Sequence, residues 1–224
     1  MKDFEEIYER AAERKGGEEA LKALLPDTIV ETAVLKKLPE DRYLSAMSKA
    51  IFKAGFVWRV VDNKWPGFED AFWQFNPWRC AYMSPEEHEA ILANAAIIRN
   101  DQKIQTVPVN ALMILDVVEQ YGSFGEFIAN WSSEDYIGLL AYLKQHGSRL
   151  GGMTCQYFLR SVGKDGFILG RDGIAALIDA GVIDKNPTSK SALKKVQDAY
   201  NQWQQGSGFN LAQISRVLAL SIDS

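Results

Sequence analysis

The loop His146-Gly147-Ser148-Arg149-Leu150-Gly151-Gly152-Met153-Thr154 is where the chain's residue types most plainly suit chemistry. Paired glycines just ahead of a helix expose successive backbone N–H groups and let a phosphate approach closely. Glycine also simply ends helices, so that reading stands beside the first. Basic residues gather around this loop. From Lys144 to Lys195 there are nine Lys/Arg, Lys164 and Arg171 among them, against four Asp. This stretch therefore carries +5 and the remainder −9 of the overall −4. A basic region on an acidic body suits phosphate contact, and a solvated face of long side chains gives the same pattern.

Metal chemistry has little support. Cys80, Cys155, His88 and His146 are the chain's only Cys and His, and none shows close-paired ligand spacing. No metal or cofactor is expected. At 224 residues and 47% hydrophobic content the chain can bury a full core. No apolar run approaches the ~18 residues of a membrane span, and the acidic start Met1–Glu6 lacks a signal-peptide core. A soluble, cytoplasmic monomer with no membrane partner is expected.

The elements that must carry these residues read as helices. Between Tyr43 and Val61 the apolar positions Leu44, Met47, Ile51, Phe52 and Phe56 recur at three- and four-residue intervals. Ser84-Pro85-Glu86-Glu87 has the form of a capping box with proline in the first turn. Ser123 with Glu126, and Ser132 with Asp135, repeat the start signal. Pro108 begins or kinks a helix within 101–120, Thr188 or Ser189 starts another through Gln205, and Asn210 caps a last one. The expectation is an all-α fold of about ten helices in two closely packed lobes. Residues 1–40 read as an N-terminal helical extension and 41–224 as the principal domain.

Three segments in order, Phe56-Val57-Trp58, Phe72-Trp73-Gln74-Phe75-Asn76-Pro77 and Ala96-Ile97-Ile98-Arg99-Asn100-Asp101-Gln102-Lys103-Ile104-Gln105, resemble the type I 3-methyladenine DNA glycosylases. The match is clear over roughly residues 47–110. It implies the helix-hairpin-helix DNA glycosylase fold, and a DNA-repair enzyme that hydrolyses the N-glycosidic bond of alkylated purines such as 3-methyladenine. Its partner is then damaged double-stranded DNA, and the Arg149–Thr154 loop (Arg149, Gly151, Gly152, Met153, Thr154) looks like a degenerate form of the DNA-anchoring hairpin, helped by Lys164 and Arg171.

The resemblance also implies residue roles. Trp58 falls where the family places a pocket tryptophan, with Phe56 beside it, although a core position explains Trp58 equally well. Asp172 matches the superfamily's essential aspartate, where a carboxylate stabilises positive charge on the sugar or orients water. It is equally suited to capping its helix. No lysine lies between Arg149 and Lys164 to form a Schiff base, so base removal without strand cleavage is expected.

The chain departs from the family at three places. Ala50 stands where the family has a base-reading glutamate, the His-Asp-Asn-Glu-Trp-Gly motif has no counterpart in residues 1–45, and the zinc ligands are missing. Two other readings therefore remain open: a catalytically silent DNA-binding relative and an all-helical protein-interaction module.

Overall fold

The computed structural model describes residues 1–223, and among them the regular structure is entirely helical. The chain opens with α1 (Phe4–Lys15), α2 (Glu18–Lys22) and α3 (Thr32–Lys37). Next come α4 (Glu40–Lys53), α5 (Trp58–Ala71), α6 (Pro77–Ala81), α7 (Pro85–Ala93) and α8 (Asp101–Ile104). Then follow α9 (Thr106–Tyr121), α10 (Phe124–Asn130), α11 (Tyr136–His146) and α12 (Met153–Ser161). The last three are α13 (Arg171–Asp179), α14 (Lys190–Ser207) and α15 (Leu211–Leu220). Two 3-10 turns, at Trp73–Phe75 and Ser133–Asp135, complete the set.

This exceeds the ten helices expected. The surplus is in pieces of four to six residues such as α2, α3, α6 and α8, which are too short to show a periodic pattern. The start signals act as expected. Ser84 and Glu87 form a reciprocal capping box, as do Asn210 and Gln213. Ser189 accepts from the Ala192 N–H to start α14. The 101–120 pattern divides at Gln105, which puts Pro108 in the first turn of α9, where its missing N–H is harmless.

The chain forms two compact units, each built from separated segments. One contains 1–30, 131–139 and 163–224, and the other 31–130 and 140–162. Residues 1–40 are thus divided between the units at Val30/Glu31, and the second boundary of note falls inside α11.

In the 31–162 unit, α4 is the central helix. Tyr43, Leu44, Met47, Ile51 and Phe52 are all buried, and they pack against α5, α9 and α12. This is the 3.6-residue stripe seen in the sequence, now closed over by its neighbours. Gly125 lets α10 approach α3 closely, since a Cβ there would lie 2.7 Å from the Leu35 carbonyl oxygen. A run of stacked rings, Trp65, Phe68, Phe72 and Phe75, fills the space beside α4 and α5.

In the other unit, α1 buries Phe4, Ile7 and Ala11 against α14 and α15, and α13 packs on α15. Phe167 stacks on Tyr200 at 4.2 Å. Gly166 is needed there because a Cβ would meet the Tyr136 ring at 2.3 Å. Among the described residues no helix is long and apolar enough to cross a membrane.

Candidate functional site

The corner between α4 and α5 projects aromatic residues outward. α4 stops at Lys53, Gly55 takes a left-handed φ of 75°, and α5 begins directly at Trp58. That backbone angle suits glycine. Trp58 is 47% exposed and Phe56 40%. Trp58 is therefore not a core residue. Its indole stands edge-on to Tyr157 of α12, with centroids 5.0 Å apart. The Lys53 ammonium lies 5.1 Å from the Trp58 ring centroid.

Lys103 holds this corner from beneath. Although only 6% exposed, it donates from Nζ to the carbonyls of Phe52 (3.1 Å) and Ala54 (2.6 Å). These are end-of-helix acceptors that α4 cannot satisfy itself, and a cation there also complements the helix dipole. The same Nζ lies 4.6 Å from the Phe56 ring centroid. Burial, and then the nearby Arg149 guanidinium, push its pKa below the ordinary lysine value. Spacing in the sequence gives no sign of this role, because nothing local marks a lysine as buried.

The hairpin loop lies in the same unit. Buried Asn110 of α9 clamps it: Asn110 Oδ1 accepts from the Ser148 N–H (2.7 Å) and Asn110 Nδ2 donates to the Ser148 carbonyl (3.2 Å). Gly147 fits because a Cβ would meet the Leu150 side chain at 2.5 Å. Arg149 is exposed with φ 56°, and its guanidinium donates to Gln102 Oε1. Gly152 (φ 56°) is the N-cap of α12, with open space around it and no side-chain cap. Gly151 is only loosely approached by Lys144, Met153 is exposed and Thr154 half-buried. The loop thus combines an uncapped helix start with unobstructed glycines and an exposed guanidinium, the features a phosphate contact needs.

The remaining expected residues lie in the other unit. Asp172 is the second residue of α13, half-exposed, with the Arg171 Nε 3.5 Å from its carboxylate. The N-cap is Gly170, and no side chain caps this helix, so Asp172 is not a cap. Arg171 is largely exposed.

Lys164 requires correction. It is 5% exposed, and its Nζ donates to the Trp131 carbonyl, so its ammonium is turned into the fold rather than toward a phosphate. The neighbouring Asp165 holds a structural position, accepting from the Leu211 and Ala212 N–H groups that open α15. The glycine-rich sequence around both residues conceals how deeply the segment is packed.

The sequence reading also missed an open aromatic cleft in the 31–162 unit, lined by Trp73, Asn76, Trp78, Arg79 and Tyr82. There the Arg79 guanidinium covers Trp73 at 4.5 Å, and exposed Trp78 and Tyr82 stack at 5.7 Å. Burial pushes both free thiols, Cys80 and Cys155, up to about 12, so neither is a nucleophile at neutral pH. Among the described residues no cluster of three His, Cys, Asp or Glu could hold a metal ion.

Residues 38–147 match the model of the methyladenine glycosylase family. The DNA-3-methyladenine glycosylase of Haemophilus influenzae is 26% identical over 130 residues, which is 50% of this chain and 70% of that enzyme. DNA-3-methyladenine glycosylase 1 of Escherichia coli is 34% identical over 80 residues, 36% of this chain and 42% of that enzyme. A crystal structure of 3-methyladenine DNA glycosylase I superposes with a TM-score of 0.51 at 28% identity, covering 61% of this chain and 82% of that one. The 8-oxoguanine DNA glycosylase of Methanocaldococcus jannaschii shares the fold more completely. It covers 93% of this chain and 89% of that one at a TM-score of 0.55, with only 16% identity. Through residues 38–147 the chain is similar to the methyladenine glycosylase family, and its all-helical fold is shared with solved DNA glycosylases.

Proposed function

We propose that the protein is a monofunctional DNA glycosylase, acting as a monomer to hydrolyse the N-glycosidic bond of alkylated purines in duplex DNA. 3-Methyladenine belongs to that class of base. The observation that carries this reading is the family match over residues 38–147, which contains both the exposed Phe56–Trp58 step and Lys103. An enzyme of this kind rotates its nucleotide out of the stack and holds the base on an aromatic surface. Trp58 and Phe56 offer that surface, and the Arg149–Thr154 hairpin offers the backbone anchor that fixes position without reading sequence.

Chemically, the glycosidic bond breaks with its electron pair going to the base nitrogen, the oxygen of a water bonds to C1′, and that water's proton passes to solvent, by way of a carboxylate where one stands beside it. Positive charge passes through the sugar on the way. Asp172 is the residue we assign to that charge or to the water, by its place after the hairpin and its half-exposed carboxylate. The absence of a hairpin lysine between Arg149 and Lys164 supports hydrolysis alone, leaving an abasic site.

The test is release of free base from duplex DNA carrying alkylated purines, comparing the native chain with Asp172→Asn. Release that falls at least about a hundred-fold in the variant supports both the activity and the carboxylate. Equal release by both proteins keeps the enzyme and removes Asp172 from the chemistry. Ala50, in place of the family glutamate, favours one second reading, a silent DNA-binding relative. Salt-sensitive DNA binding without base release would establish it.

A further inference from the structure

The cleft lined by Trp73, Asn76, Trp78, Arg79 and Tyr82 stands apart from the Phe56–Trp58 step. α5 runs from Trp58 to Ala71, and at about 1.5 Å per residue its far end lies about 20 Å from Trp58. The cleft adjoins that far end. Trp78 and Tyr82 are 64% and 65% exposed, one helical turn apart, with ring planes 18° from parallel. Large rings left open together in this way mark an interaction surface.

The polar groups of the cleft are mostly donors. The indole N–H groups of Trp73 and Trp78, the Tyr82 hydroxyl and the Asn76 amide N–H groups have no hydrogen-bond partner among the described residues. The Asn76 carbonyl oxygen already accepts from the Arg79 backbone N–H. Charge at the rim is acidic. Arg79 pairs with Glu87 and covers Trp73, and Arg42 beside the 73–75 turn pairs with Glu69. Glu86 and Glu89, on the same helix as Glu87, are exposed and have no basic partner among the described residues.

We infer that this cleft docks a proline-rich segment of a partner protein, with basic residues flanking the prolines. The inference is independent of the glycosylase reading. A proline-rich chain is extended, its carbonyls are free and each proline lacks an N–H. It is therefore rich in acceptors and poor in donors, the complement of this cleft. Its pyrrolidine rings fit between and over flat aromatic side chains, and its preformed backbone loses little entropy on docking. Basic flanks complement Glu86 and Glu89. Nucleobases would stack on the same rings, but their phosphates would meet an acidic rim and an arginine already paired.

The experiment is fluorescence anisotropy with the full chain and three labelled probes. These are a blocked octaproline flanked by arginines, the same peptide with alanine for every proline, and single-stranded octathymidylate. The proline peptide is expected to bind saturably, about ten-fold or more tighter than either other probe. Trp78→Ala and Tyr82→Ala should each weaken it by about ten-fold. Both side chains are exposed, so the melting temperatures should stay near native, which separates lost docking from lost folding. Glu86→Gln combined with Glu89→Gln should weaken binding by about three-fold, and less at high salt. Equal binding of the proline and alanine peptides overturns the inference. So does octathymidylate bound more tightly than the proline peptide and lost in Trp78→Ala, which would make the cleft a nucleic-acid platform. Self-association of the native chain that Trp78→Ala abolishes would assign the face to a second copy instead. Absence of binding by the proline peptide also overturns it, and each of these results leaves the glycosylase reading untouched.

Discussion

Trp58 and Tyr157 meet edge to face, ring centroids 5.0 Å apart and planes at 87°, while both remain partly exposed. Core aromatics of this chain are enclosed on all sides, as Phe52 and Phe68 are. The Trp58–Tyr157 pair instead joins α5 to α12 from the outside, and leaves ring surface uncovered.

Trp58→Ala is accordingly expected to cost little stability, about 1 kcal/mol for the lost edge contact and partial burial. Base stacking on an aromatic ring is worth about 1–3 kcal/mol, so base release should fall by about ten-fold or more. Thermal unfolding and release assays on the same preparation check this. A large drop in melting temperature would return Trp58 to the core.

The salt dependence of DNA binding separates Arg149 from Lys164. Each phosphate contact adds about 0.9 to the slope of log affinity against log salt concentration. Arg149→Ala is expected to reduce the slope by about one contact. Lys164→Met should leave the slope unchanged, because that ammonium is occupied by the Trp131 carbonyl inside the fold. A reduced slope in Lys164→Met would contradict the buried assignment.

Glu69 gives the stability of the 31–162 unit a defined acid limb. Burial raises its pKa, but hydrogen bonds from Arg42, Ser45 and Trp65 outweigh it and leave the group below its ordinary 4.5. Arg42 also donates to the Gln74 carbonyl at 2.7 Å, bracing the turn at residues 73–75, where three successive non-glycine residues have positive φ. A carboxylate with a depressed folded pKa contributes its full stability above the unfolded value and loses it as pH falls through the folded one. Glu69→Gln should therefore destabilise the protein by about 2 kcal/mol at pH 7. The difference between variant and native melting temperatures should begin to close near pH 4.5 and vanish below the folded pKa. A gap that does not narrow at all as pH falls away below 4.5 would count against this account.

Local signals were legible wherever the physics is local. The Ser84 and Asn210 capping boxes, the Ser189 start and the buried stripe of α4 all depend on residues three or four apart, which a sequence displays directly. The all-helical class followed from that periodicity, and the similarity to the methyladenine glycosylase family over residues 38–147 followed from the order of the aromatic and Asn100–Gln105 segments.

Burial of individual charged and aromatic side chains was decided only by tertiary structure. Lys164 and Lys103 look like solvated lysines in the sequence, yet each is carried inside by its neighbours and finds carbonyl acceptors 33 to 51 residues away. Trp58 could equally have been core or surface until the fold placed it, just past the Gly55 turn, at the exposed start of α5. The physical reason is common to all three residues. Helix formation needs only the chain's near neighbours, whereas the cost of burying an ammonium or the gain from burying an indole depends on which distant groups the fold brings beside it.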